Sequence, residues 1–112
     1  LPRQIPSRIA MELALTGDFI SAERAYELGM INRVVEPGNA LDGARALATA
    51  IAANGPLALI ASKQIIRESQ DWRQDEMFDK QNAIANPVFT SEDAIEGATA
   101  FAEKRPPQWK GR

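Results

Sequence analysis

The chain has 112 residues, 45% of them hydrophobic, and a formal net charge of −2 from 13 basic and 15 acidic side chains. That apolar content argues against disorder, the near-balanced charge argues against a general nucleic-acid binder, and the length fits one small domain. Cysteine and histidine are both missing, which removes disulfides, Cys/His zinc sites, cysteine nucleophiles and Ser-His-Asp triads from consideration.

Proline, glycine and capping residues divide the sequence into six expected helices and one short strand. Ser7 is placed to cap a first helix over residues 8–15, with Gly17 suited to its exit. In "ISAERAYELG" Ser21 is the expected N-cap of a second helix, Glu23 lies in its first turn where the dipole favours an anion, and Gly29 follows its end. "MINRVV" is a short β-branched run stopped by Pro37-Gly38, and it reads as a strand near 31–35 that finds no partner in this chain.

A third helix is expected over 41–53, with Leu41, Ala44, Leu47, Ala48 and Ile51 at helical spacing. Asn54-Gly55 ends it, and Pro56 fits the first position of a fourth helix running to about Glu68, whose apolar residues surround much of its circumference and predict burial on more than one side. A fifth helix is expected over 74–85, with Met77, Phe78, Ile84 and Ala85 inward. Ser91 caps a sixth, with Glu92 and Asp93 in its first turn, Ala94, Ile95, Ala98, Phe101 and Ala102 on its apolar face, and Lys104 and Arg105 in its last turn before Pro106-Pro107. Alanine dominates the expected core and buries little area per residue, so the core is expected to be underfilled and to need further partner surface.

The absence of cysteine is compatible with a cytosolic protein. No apolar run approaches the ~20 residues of a membrane span, and no signal-peptide pattern is visible. A start at Leu1 without methionine is expected of a fragment or a processed product.

Candidate chemistry is sparse. The adjacent carboxylates Asp75/Glu76 and Glu92/Asp93 could serve acid–base chemistry, but each sits where a helix start ordinarily carries acidic residues. No glycine-rich phosphate loop is present. Trp72 and Trp109 read as packing anchors. The ending "AFAEKRPPQWKGR" gathers Lys104, Arg105, Lys110 and Arg112, which is either a helix end with a solvated tail or an anion site.

Three blocks carry a resemblance: "LPRQIPSRIAMELALTGDFISAERAYELGMINRVVEPG", "IAANGPLALIASKQII" and "TSEDAIEGATAFAEKRPPQWKGR". In this order and spacing they resemble the C-terminal part of the enoyl-CoA hydratase/isomerase (crotonase) superfamily, especially actinobacterial and carnitinyl-CoA dehydratase-like members. The resemblance implies a mainly α chain, residues 1–112 being the helical trimerisation segment of an α/β fold whose N-terminal ββα spiral lies upstream. It implies an acyl-CoA enzyme, first of all a hydratase of trans-2-enoyl-CoA thioesters. Isomerase, dehydratase or a non-catalytic helical oligomerisation module stay open as alternatives. Coenzyme A would belong to the substrate, and no separate cofactor is expected. Lys104 is the residue matching the family lysine that meets coenzyme A phosphate or ribose, and Phe89 is the candidate aromatic brought towards the acyl pocket or coenzyme A. The position one turn earlier, aromatic in some hydratases, is Ala85 here. Oxyanion-hole amides and catalytic acids fall to no residue of this chain, so the isolated 112 residues are expected to be inactive. A cytoplasmic homotrimer or dimer of trimers, with no nucleic-acid or membrane partner, completes the expectation.

Overall fold

A computed structural model describes residues Leu1–Arg112. It holds six helices: α1 Ser7–Thr16, α2 Ala22–Glu27, α3 Ala40–Ala52, α4 Pro56–Glu68, α5 Met77–Phe89 and α6 Glu92–Glu103, with a short 3-10 turn at Ser69–Asp71. The chain divides into two compact units, Leu1–Ala46 and Leu47–Arg112, with the boundary inside α3.

The first unit departs from expectation at two places. Ser7 is the first residue of α1 rather than its cap: Pro6 occupies the cap position and no side chain closes the helix start. Proline at that position carries non-helical backbone angles suited to a cap, and its carbonyl accepts from the N–H groups of Ile9 and Ala10 at 3.0 Å, so the helix starts at Ser7 without a side-chain cap. The helix leaves through Gly17 at φ 72°, the left-handed conformation that glycine adopts without cost. Second, no strand forms near 31–35. A strand is stabilised by ladder hydrogen bonds to a neighbour, and a single β-branched run without one gains nothing from the extended state. Ser21 does cap α2, accepting from the Arg24 N–H at 3.1 Å.

In the second unit α4 packs on α5, and α5 on α6. Pro56 opens α4 as expected. Helix α5 starts at Met77, three residues later than the periodicity suggests, because Arg73 and Asp75 close a local turn with paired bonds of 3.0 Å. It runs on through Pro87 to Phe89. A proline this near a helix end removes one backbone bond, and the Thr90 and Ser91 hydroxyls donate to carbonyls of that last turn.

The apolar faces expected to be inward are largely uncovered. Buried hydrophobic residues are limited to Ile5 and Ala10 in the first unit and Ala61 and Ala100 in the second, while Leu41, Ile60, Ile95 and Phe101 remain exposed. Periodicity identifies which face of a helix wants cover, and this chain supplies only part of that cover. The expectation of an underfilled core holds, and that of an α4 enclosed on several sides does not. No single helix is long and apolar enough to cross a membrane.

Candidate functional site

Helix α6 and the nine residues after it form the most densely bonded part of the molecule. At its start, Ser91 accepts from the Ala94 N–H at 3.1 Å and donates to the Val88 carbonyl at 2.7 Å. Asp93, in the first turn, is buried. At its end, the Lys104 N–H donates to Phe101 O and the Arg105 N–H to Ala100 O, at 3.3 and 3.0 Å. This six-to-one and five-to-two pair of bonds is the Schellman closure, which requires a left-handed residue just beyond the helix. That residue is Lys104, with φ 54° and ψ 38°, and it alone among the non-glycine residues has positive φ. Glycine is the usual occupant, and an L-side chain there costs roughly 1 kcal/mol.

The tail then folds back along α6. Arg105 binds Glu96 with both arms of its guanidinium, at 2.6 and 3.0 Å, and reaches Glu103 with Nε at 2.6 Å. The Gln108 N–H also donates to Glu96, at 2.7 Å. Arg105 first, and then the Gln108 amide, hold the Glu96 carboxyl down to about 2 from an ordinary 4.5. Trp109 donates its indole N–H to the Ala53 carbonyl at 2.9 Å. Its ring lies against Gly55 and Gly97, where a Cβ on Gly97 would meet ring atoms at 3.1 Å. The Lys110 and Gly111 N–H groups donate to the two carboxylate oxygens of Asp93 at 2.7 and 2.9 Å, and Asp93 N–H returns a bond to Arg112 O. Lys110 and Arg112 both pair with Glu92, at 3.0 and 3.3 Å, which lowers the pKa of that carboxyl, Lys110 contributing most.

The expected cation cluster therefore separates. Arg105, Lys110 and Arg112 are committed to carboxylates of α6 and its end. Lys104 is exposed and takes part in no ion pair, leaving one ammonium available to an external anion. The solvated-tail reading is corrected: the tail is docked by backbone and side-chain bonds. Lys104 and Arg105 also lie beyond α6 rather than in its last turn, because the helix closes at Glu103.

Phe89 is the last residue of α5 and is 75% exposed. It forms one wall of an apolar cavity of about 270 Å³ with Leu57, Val88, Gly97 and Trp109. Lys104 and Phe89 are not brought together. They lie beyond opposite ends of α6, a helix about 18 Å long at 1.5 Å per residue. Both carboxylate pairs singled out in the sequence are taken by local partners: Asp75 by Arg73, Glu76 by Lys80 at 2.7 Å, Glu92 by the tail cations and Asp93 by tail amides.

Sequence reasoning missed Glu96, the residue that ties the tail to the helix. Its signal was available as complementarity: acidic residues 92, 93 and 96 at the start and middle of one helix, followed by a cationic tail with two prolines that can turn back.

Comparison with known proteins gives a consistent result. The family model for enoyl-CoA hydratase/isomerase matches residues 1–112. Among curated proteins, an enoyl-CoA hydratase, EchA19 of Mycobacterium tuberculosis, is 48% identical over all of this chain and 42% of its own length. A carnitinyl-CoA dehydratase of Salmonella arizonae is 41% identical over 99% of this chain and 44% of its own. Among solved structures, enoyl-CoA hydratases of Mycobacterium tuberculosis H37Rv and Mycobacterium marinum superpose with TM-scores of 0.98 and 0.97, both at 62% identity and over 44% of their chains. The chain thus spans less than half the length of the relatives it matches.

Proposed function

The chain belongs to the enoyl-CoA hydratase/isomerase family, and on that footing we propose that it is the helical C-terminal part of an enzyme that hydrates trans-2-enoyl-CoA thioesters. Water adds across the Cα=Cβ bond, the hydroxyl going to C3 and a proton to C2. The bond-making groups are assigned to no residue of these 112, and the segment alone is inactive. Its contribution is to bind. Lys104 holds a phosphate of coenzyme A, and Phe89 lines the space taken by the acyl or pantetheine portion. Coenzyme A enters as part of the substrate, so no separate cofactor is needed. The uncovered apolar faces of α4 and α6 support a homotrimer or dimer of trimers, and the enzyme is cytoplasmic on this reading.

The observation that carries the proposal is the unpaired ammonium of Lys104 held in a left-handed turn. A lysine there forgoes stability that glycine would provide, which is understandable if its side chain is needed. An ammonium suits phosphate because it is a compact charge without demanding geometry.

The test uses the whole enzyme. Lys104→Ala should raise the KM for crotonyl-CoA about tenfold, the worth of a charged hydrogen bond, with kcat nearly unchanged. With a pantetheine thioester that lacks the nucleotide phosphates, the variant should match the parent. Equal affinity of parent and variant for the CoA ester would remove Lys104 from the site. Dehydration of a 3-hydroxyacyl-CoA is the second reading, favoured by the carnitinyl-CoA dehydratase relatives, and assay in both directions separates the two.

A further inference from the structure

We infer that Glu96 is a positioning residue for Lys104, acting through Arg105, an inference that rests on the phosphate role just proposed. Three observations meet here. The Arg105 N–H forms the outer bond of the Schellman closure, to Ala100 O, so wherever Arg105 is fixed the left-handed turn at Lys104 is fixed with it. The Arg105 side chain is anchored by a two-armed bond to Glu96 at 2.6 and 3.0 Å, and Glu96 is held in turn by the Gln108 N–H at 2.7 Å. Arg105 Nε also binds Glu103 at 2.6 Å. Glu103 is the immediate neighbour of Lys104 in sequence, and its carboxylate is taken by Arg105.

The clasp therefore does two things. It pins backbone angles that a lysine adopts only at a cost, and it engages Glu103, the carboxylate next to Lys104 in sequence. The result is an ammonium that is placed yet unpaired. A two-armed guanidinium–carboxylate contact suits this role because it fixes orientation as well as distance, which a lysine–carboxylate pair does not. Lys110 pairs with Glu92 and Arg112 with Glu92, so the other tail cations are not competing for Glu96.

The experiment is a double-mutant cycle in the whole enzyme, read as the KM and kcat for crotonyl-CoA and as the Kd of a non-reactive acyl-CoA by calorimetry. Glu96→Gln retains the side-chain shape and loses the charge that grips Arg105. It should raise Kd and KM about fivefold while kcat stays level, and it should have no further effect once Lys104 is alanine. Arg105→Lys, which keeps the charge and loses the fork, should act in the same direction and serves if Glu96→Gln folds poorly. The same loss from Glu96→Gln with and without Lys104 would make the clasp merely structural and overturn the inference. No loss from either variant, while Lys104→Ala does weaken binding, would overturn it too and leave the phosphate role standing. If Lys104→Ala itself binds normally, the phosphate role fails, and the clasp has nothing to position.

Discussion

Two irregular segments of the chain, residues 31–39 and 104–112, are matched in length and both contain proline and glycine, yet their states are opposite. In the first, every residue is exposed, the turn is held by a bond from Asn39 N–H to Glu36 O, and Val35 touches Gly43. In the second, amides of Gln108, Lys110 and Gly111 end on carboxylates, Trp109 is half-buried, and three cations have acidic partners. What differs is the acceptor supply. Helix α6 offers Glu92, Asp93 and Glu96 to the tail, whereas no element supplies a ladder to 31–35. Irregular backbone becomes fixed when its polar groups find partners, and low secondary-structure propensity does not by itself make a segment loose.

The contrast can be broken or sharpened by substitution. Trp109→Ala should have the largest effect, about 3 kcal/mol, at the low end for a large aromatic because the ring is half-buried. Loss of the indole bond to Ala53 is included. Denaturant unfolding followed by circular dichroism measures it, and a loss below about 1 kcal/mol would mean that the ring is not the tail's anchor.

Asp93→Asn should follow, at about 2 kcal/mol, since an amide offers one acceptor where two N–H donors converge. Hydrogen exchange at Lys110 and Gly111 should rise in step. Unchanged protection at those amides would detach the tail's order from this carboxylate.

Acid should loosen the tail before the rest. The folded Glu96 carboxyl titrates at about 2, below its ordinary 4.5, so its contribution is complete above that ordinary value and is lost as pH falls towards 2. Glu92 is shifted in the same direction. Trp109 fluorescence recorded down this range should report the loss, and Glu96→Gln should flatten the profile. A profile identical in the variant would assign the acid response elsewhere.

The smallest effect is expected in the other segment. Val34→Thr, at an exposed position, should change stability by less than about 0.5 kcal/mol. A loss several times larger would show that 31–35 is pinned after all, and the contrast would collapse.

Much of the local structure was legible. Ser21 and Ser91 cap the helices they precede, Pro56 opens α4, and the acidic residues of α6 sit in its first turn. These are decisions made within a few residues, by one side chain meeting one backbone group, so spacing along the chain suffices to read them. The misreadings came where a choice depended on something farther away or on competing local bonds: Met30–Val35 lacked a strand neighbour, and the Arg73–Asp75 turn displaced the start of α5.

By itself the sequence determined a helical chain of the enoyl-CoA hydratase/isomerase family and a cationic carboxyl end that included Lys104. Only the tertiary structure decided which of those cations is free. Charges so close together along the chain are alike to any reading of composition or period. They become different when the tail turns back on α6 and Glu96, Glu103 and Glu92 capture Arg105, Lys110 and Arg112 at hydrogen-bonding distance, leaving Lys104 on a strained turn with its ammonium in solvent.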